Sequence, residues 1–328
     1  MAFWHSILAP FGHSARARQL AGSTLRIMKI LAIDGNSLLH RAWHAYGPRD
    51  GAEPLTHEGE PVFAVHGFFS MLASLVKLHH PTHLVVGFDS RTNERKIADP
   101  TYKATRSSAD PDLYRQMNRT QEILKATGIH TVVVEGWEAD DVIGSTAAWA
   151  DAADARCVVA TSDRDSFQLV SPNTVVWRIT NGVKNAEEVN EGWLRKKYGV
   201  DGPGYLELAA MRGDSSDNLP GVAGVGEKTA MTICALGPVE ATIAAIKAND
   251  EGTVKALKSA AKKLIAGEEA FMHNKWMMSI RRDLDVSVPS GDLSTVVPSV
   301  VLREMSAAGI PSAGTQFARA VNVALSAF

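Results

Sequence analysis

Several familiar signposts are missing from this sequence, and each absence removes a class of protein. Only 2 cysteines occur in 328 residues. Cys157 and Cys234 stand far apart in apolar surroundings and match no zinc or redox spacing, which excludes a disulfide scaffold and reads as buried thiols in a reducing compartment. No run reaches the roughly 18 to 20 apolar residues that a membrane-spanning helix needs. Net charge is only −2, so the chain lacks the uniform basic surplus common among nucleic-acid binders. Acid is absent from residues 1–27, a block that carries Arg16, Arg18 and Arg26. That block weakly resembles an organellar transit peptide; the simpler expectation is a dispensable extension ahead of "MKILAIDGN", where the fold opens at Met28. With 45% hydrophobic and 21% charged residues, the composition is that of a soluble globular protein, expected to be cytoplasmic and free of membrane.

What is present is a pattern of acids. From Met28 onward, short β-branched runs ("KILAID", "THLVVGFD", "HTVVVEG", "RCVVATSD") alternate with segments of helical spacing such as "PVFAVHGFFSMLASLVKLHH". This is the α/β pattern: a mostly parallel central sheet flanked by helices. Asp34 ends the first run, Asp89 the second, Glu138 with Asp140 and Asp141 follows the third, and Asp163 with Asp165 follows the fourth. Ligands of such sheets bind at the carboxyl ends of the strands, so four segments deliver carboxylates to one edge. A single aspartate after a strand is an ordinary helix cap. Three in "EADD" and two in "SDRD" exceed what capping requires, and gathering them is unfavourable without cations. Oxygen-only ligation points to Mg²⁺ or Mn²⁺, and two such ions about 4 Å apart form the clamp used for in-line attack on phosphodiesters.

Charge is also segregated on the basic side. Arg91, Arg95, Lys96, Lys103, Arg106, Arg115 and Arg119 fall in one short region, which is either a solvated helix face or a nucleic-acid surface. Farther on, "MRGDSSDNLPGVAGVGEKTA" sets Asp214 and Asp217 before a glycine-rich turn. It is not a nucleotide P-loop, because Glu227 separates Gly226 from Lys228 and Thr229, and not a dinucleotide fingerprint, because Thr229 stands where the third glycine belongs. What remains is a helix, a tight turn through Gly224, Val225 and Gly226, and a second helix beginning near Glu227. Such a turn binds a backbone phosphate without reading sequence, or merely joins two helices.

Taken together, "AIDGNSLLHRAWHA", "VVGFDS", "YKATR", "GWEADDVIGS", "ATSDRDSFQLV" and "GDSSDNLPGVAGVGEKTA" resemble, in the correct order, the motifs of the 5′ nuclease family. That family includes the 5′→3′ exonuclease domain of DNA polymerase I, phage 5′→3′ exonucleases and flap endonucleases. The resemblance runs from about Met28 to about Asp285. It implies a PIN-like core over residues 28–200 with a helical arch at about 90–125, a helix-hairpin-helix subdomain over 201–285, and a C-terminal segment, 286–328, packed on the core.

Carried over by position, the resemblance implies one metal site organised by Asp34, Asp89, Glu138 and Asp140. A second is implied at Asp141, Asp163, Asp165, Asp214 and Asp217. Lys103 and Arg106 are expected at the scissile phosphate, Tyr102 against a terminal base or in the core, and Arg41, Arg91 and Arg95 on DNA. The turn residues Gly221, Gly224, Gly226, Lys228 and Thr229 are expected to hold duplex, with a monovalent cation such as K⁺ at the turn carbonyls. Lys255, Lys258, Lys262 and Lys263 either extend that surface or face solvent. His40 and Glu94 depart from the family pattern, which favours aromatics there, and Pro100 and Pro111 interrupt the arch region.

The expected activity is a free-standing, monomeric, Mg²⁺-dependent 5′→3′ exonuclease and flap endonuclease that leaves 5′ phosphates. Its expected substrates are DNA 5′ ends, flaps and nicks, with RNA primers a further possibility. A PIN-like ribonuclease shares the acidic edge but not the hairpin with Asp214 and Asp217. A catalytically silent DNA-structure binder would have lost carboxylates, and none of the nine is missing.

Overall fold

Six strands form the main sheet: β1 (Lys29–Asp34), β2 (His83–Phe88), β3 (Thr131–Val133), β4 (Arg156–Thr161), β5 (Thr174–Arg178) and β6 (Glu187–Val189). These belong to a computed structural model that describes residues 28–48, 53–106 and 110–327; the acid-free block 1–27 lies outside the described residues. The strand order is β3-β2-β1-β4-β5-β6, parallel throughout except between β5 and β6. The runs of β1, β2 and β4 are buried on both faces, as parallel strands covered by helices must be, while the edge strand β3 leaves Val133 exposed. Successive side chains feed opposite cores: Ile30 and Ala32 join Val142 and Val159 on one side, while Leu31 and Ile33 join Phe68 and Phe69 on the other.

The helices follow in chain order. α1 (Gly35–Tyr46) and α2 (Phe63–His79) cover one face; α3 (Glu94–Ala98) and α4 (Pro111–Ala126) follow β2; α5 (Ala139–Ala152) covers the other face between β3 and β4. After β6 come α6 (Glu191–Tyr198), α7 (Gly202–Arg212), α8 (Glu227–Cys234), α9 (Val239–Lys247), α10 (Glu251–Leu257), α11 (Ser259–Ala266) and α12 (Glu268–Met278). The chain closes with α13 (Pro298–Ala307) and α14 (Pro311–Ser326). α14 lies along α2, with Phe317 edge-on to Phe69 at 6.5 Å. No single described helix is long and apolar enough to cross a membrane; α8 and α9 reach that length only as a pair bent by 79°.

The interval expected to form an arch divides in two. Its longer helix, α4, is docked on the body: Leu113, Ile123 and Leu124 are buried. Gln116 Oε1 accepts from the backbone N–H of Ala64 at 2.8 Å and Val65 at 3.4 Å. α2 has no side-chain cap of its own, so α4 satisfies the orphan amides of its first turn. Pro111 sits at the first turn of α4 and starts the helix it was expected to interrupt. The short helix α3 and the turn 99–106 reach over the strand ends, where Lys103 N–H bonds Asp217 O at 3.0 Å and Asn218 Nδ2 bonds Thr101 O at 3.0 Å.

Candidate metal centre

Strand polarity places the acids. β3, β2, β1 and β4 are contiguous and parallel, so the residues after their carboxyl ends meet along one edge. Asp34 ends β1 and caps α1: one oxygen accepts from Ser37 N–H at 2.9 Å, the other from the Thr161 hydroxyl at 2.8 Å. Asp89 is clamped between Asn36 Nδ2 at 3.0 Å and Ala139 N–H at 2.8 Å. Asp163 accepts from Asp165 N–H at 2.8 Å and donates its own N–H to Thr161 Oγ1 at 3.1 Å. Ser37 and Ser162 hydroxyls meet at 2.6 Å, which ties α1 to the loop after β4. A cleft of about 850 Å³ opens here, lined among others by Asp34, Asp89, Glu138, Asp140 and Asp163.

Asp34 and Glu138 are buried, Asp140 and Asp163 half-buried and Asp89 exposed at the cleft, and crowding together with partial loss of water disfavours charge. Burial, with Asp89 and Asp163 nearby, pushes the Asp34 carboxyl up to about 7. Burial and then Asp34 hold Asp140 well above the usual carboxylate range. Burial and then Asp163 do the same for Asp165, and Asp163 is raised chiefly by burial. Positive charge comes from the turn above. Lys103 Nζ bonds Glu138 Oε1 and lies 3.9 Å from Asp217, while Arg106 bonds the other Asp217 oxygen. The Lys103 backbone is left-handed, φ 56°, an uncommon state for a non-glycine residue that local contacts must hold.

A hard divalent cation fits this donor set. All candidate ligands are oxygens, the raised pKa values of Asp34, Asp140 and Asp165 describe negative charge that a cation would stabilise, and no thiol or thioether lines the cleft. Among the described residues no three acids converge on one point. The carboxylates form an acidic floor, not a closed cage, which suits ions that keep part of their water.

Two expected assignments, Asp141 and Arg95, need correction, and Tyr102 takes the core alternative of its two. Asp141 is 0% exposed and bidentate to Arg95, at 2.7 Å on both oxygens, and also accepts from the N–H groups of Glu138 and Arg281 at 3.0 and 2.8 Å. With both oxygens engaged, it is a structural ion, not a ligand. Arg95, expected on DNA, is 4% exposed. Its remaining bonds go to Glu138 at 3.3 Å and the carbonyls of Met277 and Ser279 at 2.8 and 2.7 Å. Tyr102 is buried with its hydroxyl on Glu138 at 3.2 Å, so its ring is core and offers no stacking face. Arg115 pairs with Asp112, and Arg119 bonds Ala308 O at 3.2 Å, so the basic cluster is partly consumed by the fold. Arg91 is exposed but lines a different hollow, beside Lys125 and His130.

Asp214 and Asp217 lie between α7 and the glycine turn. Asp214 accepts from the Ser216 N–H and hydroxyl, both at 2.7 Å. Asp214 and Asp217 are among the charged neighbours that raise Asp165, so this hairpin joins the acidic floor. The turn itself follows: Gly221 packs so closely that a Cβ would fall 2.1 Å from Arg212 O, and Gly224 has φ +75°. Lys228 is exposed and Thr229 half-buried at the start of α8. The Gly224 carbonyl, one of those expected to hold K⁺, accepts from Lys263 Nζ at 3.1 Å. Sequence reading missed Asn36, Asn93 and Thr161 as partners of the acids. It also missed His44, although the helical spacing of Ser37, Arg41 and His44 puts them on one face of α1.

Comparison with known proteins agrees with this fold. Residues 29–199 match the family model described as 5′-3′ exonuclease, N-terminal resolvase-like domain, and residues 200–299 match 5′-3′ exonuclease, C-terminal SAM fold. A 5′-3′ exonuclease of Streptomyces coelicolor is 41% identical over 220 residues, 62% of this chain and 71% of that protein. DNA polymerase I of Mycobacterium leprae is 42% identical over 202 residues, and that of Bacillus caldotenax 35% over 270. These matches take in 61% and 81% of this chain but only 22% and 29% of the polymerases. Among solved structures, T5 5′-exonuclease with bound divalent metal ions (zinc) aligns at TM-score 0.59 and 20% identity, covering 91% of this chain and 100% of that one. The catalytic core of Rad2 in complex with DNA aligns at TM-score 0.55 and 16% identity, covering 91% and 92%. At such identities the likeness is one of fold.

Proposed function

We propose, for a chain that belongs to the 5′-3′ exonuclease family, that it hydrolyses DNA phosphodiesters near 5′ ends and at junctions of single strand and duplex. One observation carries the reading: four contiguous parallel strands deliver carboxylates to a cleft faced by Lys103 and Arg106, and Asp34, Asp89, Asp140 and Asp163 have no ion-pair partner among the described residues. Asp34, Asp89, Glu138 and Asp140 would hold one divalent cation, and Asp163, Asp165, Asp214 and Asp217 a second. When bound, Mg²⁺ or Mn²⁺ ions supply a water of lowered pKa and neutralise the phosphate and leaving oxygen.

The protein's own groups do the rest. Lys103 and Arg106 leave Glu138 and Asp217 for the scissile phosphate and offset the charge that grows on it. Water oxygen bonds to phosphorus, the P–O3′ bond breaks, and the O3′ takes up a proton, leaving a 5′ phosphate and a 3′ hydroxyl. Asn36 and the Ala139 amide hold Asp89 in place. The turn from Gly221 to Lys228 and the start of α8 grip a duplex phosphate away from the cut, with the Lys263 ammonium already at the carbonyl where K⁺ was expected.

The test is cleavage of an end-labelled 5′-flap DNA with Mg²⁺ against the same reaction in chelator. Metal-dependent product near the junction is expected. Product from RNA alone would move the chain to the ribonuclease reading, and no metal-dependent product from either would end the proposal.

A further inference from the structure

The cleft has two chemically different ends. Its acids lie at the strand termini, whereas the far end is lined by His40, Arg41, His44, Thr180, Asn181 and Gly182, with no carboxylate among them. α1 connects the two. Asp34 is its N-cap, so the rise of the helix carries Arg41 about 10 Å and His44 about 15 Å from the metal floor. Thr180 to Gly182, the loop after β5, forms the wall at that end.

Arg41 is the informative residue. Its Nη1 donates to the Thr180 carbonyl, which fixes the guanidinium, while its Nε has no partner. Among the described residues it makes no ion pair. Burial and the nearby Arg178 lower its pKa, so a second guanidinium lies close; Arg178 has one weak acidic neighbour, Glu187 at 3.8 Å. His40 is lowered by burial, then by His44 and Arg106. Arg106 and Arg178 already hold Asp217 and Glu187, but Arg41 is a guanidinium without a counter-ion beside a second one, which marks a place for an anion.

We propose that this end of the cleft is a subsite for a 5′-terminal phosphate monoester, gripped by Arg41 with His40 and His44. A monoester carries nearly one charge more than an internal phosphodiester near neutral pH and has three free oxygens for bidentate donors. The wall at residues 180–182 stops a strand end, and the span from the acids accommodates only a short terminal piece of strand. The inference rests on the nuclease reading of the same cleft and deepens it. Hydrolysis that leaves a 5′ phosphate regenerates the ligand at each cut, so every product end is the preferred substrate of the next.

The experiment compares two recessed duplexes that differ only in a 5′ phosphate or 5′ hydroxyl. Binding is read by fluorescence anisotropy in chelator, and cleavage in Mg²⁺. The expected result for the unaltered protein is about ten-fold tighter binding of the phosphorylated end, falling below about two-fold in Arg41→Gln and in His44→Gln. Thermal melts of both variants check that they fold. Equal affinity for the two ends overturns the subsite, as does a preference that survives both substitutions. Preferential binding without cleavage of either DNA would retain the subsite and end the nuclease proposal, so the two failures are distinguishable.

Discussion

Asp140 and Asp141 are adjacent, share the first turn of α5, and meet opposite electrostatic fates. Asp141 has a bidentate guanidinium and two backbone amides. Asp140 has a single long contact, 3.5 Å from the Ser166 hydroxyl, and loss of water followed by like-charged neighbours holds its carboxyl well above the normal range. A protein can afford one arrangement for stability and keeps the other only when something outside the chain completes it. The comparison separates the knot around Arg95, finished by the fold, from the floor at the strand ends, finished by a ligand.

The largest effect that would break this division is on turnover. Asp163→Ala removes a member of the floor, and cleavage should fall by on the order of 10³-fold with DNA affinity largely kept. Retained turnover in a single-turnover assay would mean that the floor is not the metal site. Next comes the knot. Asp141→Ala strands Arg95 in the core and should cost about 3–5 kcal/mol in denaturant unfolding. The double replacement Arg95→Met with Asp141→Leu should recover much of that loss, because it removes both charges together; an Asp141→Ala protein of normal stability would move Asp141 back among the ligands.

A third buried group shows what happens with neither partner nor ligand. His79 is 8% exposed, its Nε2 has no hydrogen-bond partner, and its ring meets Trp177 edge-on at 4.8 Å. Burial, then Lys29 and His80, lowers it to about 4. The unfolded chain takes up this proton near pH 6.5 and the folded chain only near 4, so stability is full above 6.5 and falls as pH drops through that window. The loss should be about 1–3 kcal/mol, read by denaturant titrations that follow tryptophan fluorescence, and His79→Phe should flatten it.

Within the floor itself the sign reverses. Asp140→Asn should raise the unfolding temperature of the metal-free protein, since it removes one of several mutually repelling carboxylates, and should shrink the further rise that Mg²⁺ produces. A lower melting point in chelator would show that Asp140 has a structural partner after all.

Much of the floor was legible in sequence because strand polarity repeats: an acid after each of four parallel strands needs only the α/β pattern to bring them together. The knot was not. Arg95 and Asp141 are 46 positions apart, and their pairing depends on carbonyls at Met277 and Ser279 that no local motif announces. The docking of α4 failed to show for the same reason, since Gln116 answers unfilled amides at the start of α2. Arg95, Tyr102, Lys103 and Arg106 belong to one basic stretch, and burial alone separates the first two, fixed in the core, from the last two, held over the cleft.

The glycine turn offers the smallest change and a sharp test of the same distinction. Gly221 is required by the fold, because a Cβ would collide with Arg212 O at 2.1 Å. Gly226 is not: its backbone at φ −89° suits any residue, and a Cβ there meets nothing within 4 Å. Gly226→Ala should therefore leave stability within about 0.5 kcal/mol, whereas Gly221→Ala should destabilise. Since the added methyl touches no protein atom, any loss of duplex affinity in Gly226→Ala reports contact with the ligand alone. A few-fold weaker Kd with an unchanged melting curve is expected if a phosphate rests on the turn; identical binding would leave Gly226 outside the contact and confine the grip to the α8 side chains Lys228 and Thr229.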